Sequence, residues 1–211
     1  MTFLFFDAAT TTGSDHFDTR TSYLQNWPRL FQLTWTQIDA ARGEVGTIQN
    51  HVLKPNGFSI PDISESEGIT TAYAEREGEE PYAALGKFAN AAEDCDTLVA
   101  HNVALGASVV GAEMLRAYGE DSLIGKSKMC TMKTSSELCG LENPYGPKWP
   151  SLPELHGELF GTPVTGFHSG RVRVEVGAKC TLELVRRGVI PDDTDTPFPA
   201  ENRGSTTLSR S

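Results

Sequence analysis

The chain is 211 residues long and 38% apolar, with 28 acidic residues against 18 Lys and Arg and a net charge of −10. That length suffices for one packed core, and the acidic balance excludes a generally basic nucleic-acid-binding surface, because phosphate binding draws on Lys and Arg to displace counterions. No apolar run is long enough for a membrane span and the N-terminus lacks the basic flank and cleavage site of a signal peptide, so a cytoplasmic protein with no membrane partner is expected.

Phe3-Leu4-Phe5-Phe6 reads as a short strand buried on both faces and ending in Asp7. An Asp at a strand exit either caps the turn that follows or belongs to a site. The polar stretch from Ser14 to Asn26 is a long loop beside it, part of that site or simply a decorated turn. Within Arg29 to Asp39, Phe31, Leu33 and Trp35 alternate with Gln32, Thr34 and Thr36, the period of a strand with one buried face. A turn from Ala40 to Gly46 precedes a third strand at His51-Val52-Leu53-Lys54, and Pro61 to Gly78 is acidic and irregular.

Pro81 then opens a helix carrying Tyr82, Leu85, Phe88, Ala89 and Ala92 on one face. Thr97 to Ala100 is a fourth strand that runs into His101-Asn102, and Leu105, Val109, Ala112 and Leu115 continue as a helix. Lys128 to Met132 is a fifth strand, followed by a short helix through Leu138. Ser151-Leu152-Pro153-Glu154 is a capping box that starts a helix through Phe160. Further on, Val172, Val174 and Val176 alternate with charged residues as in a strand, while Val172, Val176, Cys180 and Leu184 form an i, i+4 ladder. The length of the run before Gly188 favours the helix.

Residues 1–190 form the expected domain. From Pro191 to Ser211 follows a polar tail without a core of its own. The four cysteines, Cys95, Cys130, Cys139 and Cys180, show no C-x-x-C spacing and are expected as buried thiols. The local basic clusters are Arg171 with Arg173 and Arg186 with Arg187. Three strands joined by turns, then strands alternating with helices, give an α/β mixed five-stranded sheet flanked by helices. Without G-x-G-x-x-G after the first strand, a dinucleotide fold is a poor fit.

Several landmarks in order resemble the DnaQ-like 3′–5′ exonucleases of the DEDDh type. They are Phe6-Asp7, Trp27-Pro28-Arg29-Leu30, His51-Val52-Leu53-Lys54-Pro55, Gly68-Ile69-Thr70, Val99-Ala100-His101-Asn102, Cys130-Thr131-Met132-Lys133, Lys148-Trp149-Pro150 and His168. The resemblance runs from about Thr2 to Ile190 and implies an RNase H-like fold. It also implies chemistry by four carboxylates holding two divalent ions, with a histidine as general base. Carried over position by position, the family's D-x-E stands as Asp7-Ala8-Ala9. H-N-x-x-F-D stands as His101-Asn102-Val103-Ala104-Leu105-Gly106, and H-D-A-x-x-D as His168-Ser169-Gly170-Arg171-Val172-Arg173. Only Asp7 and His168 remain of the catalytic set; Ala9, Gly106 and Arg173 replace carboxylates.

The resemblance therefore implies a degenerate, non-catalytic exonuclease-like domain with no metal or other cofactor, acting as a nucleic-acid- or protein-binding scaffold. A nucleic-acid 3′ end or single strand is the candidate partner. Arg171, Arg173, His101 and Asn102 are candidate phosphate or partner contacts, and Arg173 is otherwise a solvated helix residue. A second reading is an active exonuclease whose Mg or Mn is held by substitutes such as Asp15, Asp18 or Glu67. A third is an assembly protein that engages neighbouring chains through the 14–26 loop and the tail. In the first reading Asp7, Ala9, Gly106 and Arg173 converge in one pocket, with Arg173 or Arg171 neutralising Asp7.

Overall fold

The structure, a computed structural model, describes residues 1–11, 24, 27–61 and 68–190. The 191–211 tail and all of the 14–26 loop except Leu24 lie outside the described residues, as do Asp15, Asp18 and Glu67. In chain order the elements are β1 (Thr2–Thr10), β2 (Leu30–Asp39), β3 (Glu44–Val45), β4 (Gln49–Val52), α1 (Thr71–Glu77), α2 (Pro81–Glu93) and β5 (Thr97–Ala100). There follow α3 (Val103–Tyr118), β6 (Ser127–Cys130), α4 (Thr131–Thr134), α5 (Ser136–Cys139), a small hairpin of β7 (Glu142–Asn143) and β8 (Gly146–Pro147), α6 (Leu152–Phe160) and α7 (Gly170–Arg186).

The main sheet is mixed. β1 lies at its centre, antiparallel to β2 and parallel to β5, which in turn runs parallel to β6. β3 and β4 both pair with the far side of β2. Between them one residue is extra: four positions separate Val45 from Gln49, but only three separate their partners Ile38 and Trp35. The six strands thus occupy five positions. The expected third strand is broken in two, because the stretch read as a turn already pairs at Glu44–Val45.

Alternation along β1 sends successive side chains to opposite faces, and both faces are covered. Leu4 and Phe6 join Leu85, Phe88, Val110 and Met114 of α2 and α3, with the Phe6 and Phe88 rings edge to face at 5.3 Å. Phe3 and Phe5 join Leu152, Leu155 and Leu159 of α6 and Val174, Cys180 and Leu184 of α7. Each of these β1 side chains is at most 1% exposed, worth on the order of 2 kcal/mol of burial apiece. Of the cysteines, Cys95, Cys130 and Cys180 are buried and Cys139 is half-buried.

Four sequence expectations need correction. Asp7 is not at the end of its strand: β1 pairs with β2 as far as Thr10, although its parallel pairing with β5 stops at Phe5. The Pro61–Gly78 stretch is not wholly irregular, since Thr70 caps α1 by accepting the Tyr73 N–H. The fifth strand ends at Cys130, and Thr131 and Met132 already belong to α4. The third strand proper is shifted toward the N-terminus; Leu53 beyond it forms an isolated bridge to Glu79 and donates its N–H to the Phe31 carbonyl at 2.8 Å.

The valine-rich segment after Gly170 is the helix α7, and Gly177 is where it meets the sheet. A Cβ at residue 177 would fall on the ring of Phe5. Gly177→Ala is therefore expected to overpack the core and destabilise the protein by about 3 kcal/mol, read as a fall in Tm by calorimetry or circular dichroism. An unchanged Tm would show that α7 can lift from β1 without loss.

Candidate nucleic-acid interface

Beyond Phe5, β1 has lost its parallel neighbour, and a cleft of about 610 Å³ opens there. It lies between β1, the start of α3 and the segment before α6. Asp7, His101, Asn102, Gly106, Trp149 and Pro150 are among its lining residues.

The Asp7 carboxylate is held by Arg173. Nε of the guanidinium donates to Asp7 Oδ2 at 2.9 Å, Nη2 lies 2.9 Å from the same oxygen as an ion pair, and Nη1 donates to the His168 carbonyl at 2.8 Å. Both side chains are largely covered, 28% exposed for Asp7 and 17% for Arg173, so the pair is stronger than a surface salt bridge. Register explains how a residue 166 positions away arrives there. Thr34 is the cross-strand partner of Asp7, and the first residue of α7, Gly170, packs on Thr34 and Gln32. A Cβ at residue 170 would lie 2.9 Å from Thr34 Oγ1 and from Gln32 Oε1. Arg173, nearly one turn further, is thereby placed over β1. Asn50 fixes this patch from the other side, its Oδ1 accepting from Thr34 Oγ1 at 2.6 Å and Gln32 Nε2 at 3.0 Å.

The other positions singled out from the sequence divide. Gly106 lines the cleft, but a Cβ there would sit 3.1 Å from Phe6 Cε2, so the phenyl ring has closed on the space a side chain would need. Ala9 is not part of the cleft lining; it packs on the Phe31, Ile60, Ile69 and Ala74 cluster. The expected four-residue pocket is therefore incomplete. Asp7 and Gly106 share the cleft, Arg173 reaches Asp7 from α7, and Ala9 belongs to neighbouring apolar packing. His168 and Arg171 are exposed at the start of α7.

His101 is a strut. Its Nε2 lies 2.9 Å from the Pro150 carbonyl, which can only accept, so Nε2 carries the proton and Nδ1 accepts from Thr131 Oγ1 at 3.0 Å. Burial pushes its pKa below the ordinary histidine value, the Pro150 hydrogen bond and Asp7 opposing this more weakly. A neutral imidazole with both nitrogens engaged ties the end of β5 to the far wall of the cleft. Asn102 beside it adopts the left-handed conformation at φ 83°, the only non-glycine to do so among the described residues.

That far wall carries residues that the sequence marks as landmarks of the resemblance but not as site contacts. Lys133 of α4 places its ammonium 5.7 Å from the centre of the Trp149 ring, and Lys148 donates to Glu154 at 2.6 Å. Lys148-Trp149-Pro150 is visible in the sequence, yet Lys133 comes to it only through the fold. Among the described residues no three His, Cys, Asp or Glu side chains gather as a metal site requires.

No family model matches the chain, and no curated protein matches it in sequence. Solved structures match its fold. Escherichia coli exonuclease I in complex with a dT13 oligonucleotide aligns at TM-score 0.66 and 17% identity over 88% of this chain, but only 41% of its own. A 3′-exonuclease recognising the 3′ end of histone mRNA stem-loop aligns at TM-score 0.68 and 11% identity, covering 89% of this chain and 83% of the other. A full-length 3′-exonuclease aligns at TM-score 0.69 and 11% identity. The chain thus has the exonuclease fold, RNase H-like, and spans about two fifths of the length of exonuclease I.

Two outcomes follow from this geometry. Arg173→Ala strips a charge-assisted hydrogen bond and its ion pair from Asp7 and is expected to cost about 2 kcal/mol in chemical denaturation, with Asp7→Asn/Arg173→Ala recovering part of the loss. Glu154 is held down to about pKa 2, first by Lys148 and then by the N–H and hydroxyl of Ser151. Its folded value is depressed, so its stabilisation is present above the usual value of 4.5 and lost as pH falls from there toward about 2. In Glu154→Gln the acid limb of a Tm-versus-pH curve should flatten over that window.

Proposed function

We propose that this chain is an exonuclease-fold domain that holds a single nucleic-acid strand in the cleft beside Asp7 without cleaving it. The observation that carries this reading is the Arg173 guanidinium on Asp7. Hydrolysis of the kind the family resemblance implies needs two hard divalent ions, each wanting several oxygen ligands. Of the positions that would supply them, Ala9 and Gly106 offer none, and Arg173 contributes a permanent cation already bound to the remaining carboxylate. The described residues do not fit such ions.

What they do fit is a phosphodiester chain. Arg173 cancels the Asp7 charge that would otherwise repel phosphate, Lys148 lines the same cleft and Lys133 sits against Trp149 in its wall, in an otherwise acidic protein. The fold neighbour exonuclease I binds an oligothymidylate. This supports a single strand as the ligand class here, with the neighbour's catalysis left behind.

The test incubates a single-stranded oligonucleotide carrying a label at its 3′ end with the protein in Mg²⁺ or Mn²⁺, beside Asp7→Ala. No shortening is expected from either protein. Binding, measured by fluorescence anisotropy, should weaken about 20-fold between 50 and 200 mM salt if roughly three phosphates are contacted. Shortening that disappears in Asp7→Ala would overturn the non-catalytic reading.

A further inference from the structure

We infer that Trp149 is the stacking platform for an unpaired base of the bound strand. This inference rests on the strand-binding reading above. Trp149 is 57% exposed although it lines the cleft, whereas Trp35 is 3% exposed in the core. No burial accounts for a large ring in that position. Its backbone, moreover, is fixed on both sides. Lys148 before it is tied to Glu154, which also closes the capping box of α6, and the carbonyl of Pro150 after it receives the His101 Nε2 proton. An indole presented by such a restrained segment loses little freedom when a ligand stacks on it.

The surroundings suit a nucleotide. The cleft floor is apolar, with Phe6, Leu105 and Met132 among its lining, and its volume suits a ligand of about nucleotide size rather than a duplex. Lys133 sits over the indole at 5.7 Å, within reach of the phosphate attached to a base that stacks there. Aromatic stacking tolerates any base, since each has a π face, so the site reads the presence of an unpaired base rather than its identity.

The probes are fluorescein-labelled octamers of thymidine, of uridine and of abasic deoxyribose, titrated against wild type, Trp149→Ala and Trp149→Phe. Trp149→Ala is expected to weaken binding of the base-bearing octamers at least about fivefold, and Trp149→Phe to restore most of it. The abasic octamer should bind wild type and Trp149→Ala alike, and an unlabelled base-bearing octamer should quench wild-type tryptophan fluorescence but not that of Trp149→Ala. Where only the thymidine or only the uridine octamer binds, weaker binding of that octamer by Trp149→Ala upholds the platform and assigns DNA or RNA. Equal affinity of wild type and Trp149→Ala for base-bearing octamers overturns the platform and leaves strand binding standing. Failure of every octamer to bind wild type overturns strand binding itself.

Discussion

The ring of Phe5 lies where a side chain on residue 177 would have to go, and this contact governs the rest of the structure. A helix whose glycine faces an aromatic ring can approach the sheet more closely than side-chain packing ordinarily allows. The approach is repeated two turns earlier at Gly170, which rests on Thr34 and Gln32. With both points fixed, α7 has one position and one rotation over β1 and β2. Arg173 inherits its place from that docking, and the ion pair with Asp7 is a consequence of how the helix packs.

The ion pair then decides the electrostatics of the cleft. A pair of divalent ions among four carboxylates is close to neutral and presents open coordination positions to phosphate and water. A guanidinium on one carboxylate is also neutral, but its donors are committed to fixed directions, and it polarises no water. The two arrangements answer the same demand, cancelling a largely covered carboxylate charge, with different chemical consequences. The phenyl ring of Phe6 lies against Gly106, 3.1 Å from where a Cβ at that position would sit.

A carboxylate more deeply buried than Asp7 is handled in another way. Glu113 of α3 is 3% exposed and its Oε1 accepts from Arg29 Nε at 2.7 Å, Arg116 Nη1 at 2.9 Å and the Leu30 N–H at 3.1 Å. Arg116 also donates to the carbonyls of Leu24 and Trp27, and Arg29 lies 4.4 Å from the centre of the Phe58 ring. Two cations and a backbone donor on one carboxylate offset the cost of its burial. They fasten α3, which borders the cleft, to the start of β2.

By itself the sequence determined the elements with strong local signals. The four apolar residues before Asp7, the alternation around Trp35 and the Ser151–Glu154 capping box each state their conformation through neighbours a few positions away, whereas Val172 to Leu184 carries both a strand alternation and an i, i+4 ladder, and the length of the run favours the helix. The family resemblance put Asp7, Gly106, His168 and Arg173 at corresponding positions and implied that Arg173 would meet Asp7. Where signals were weak or split the reading fell short: the two-residue β3, the short α1 beside an acidic stretch and the end of β6. Only the tertiary structure decided that Asp7 sits inside its strand rather than at its exit, because two partners of unequal length pair with β1 and only one stops early. It also decided that Ala9 joins apolar packing, that His101 is a strut and that Lys133 meets Trp149. Such facts depend on register and helix docking across many tens of residues, and local pattern carries no information about either.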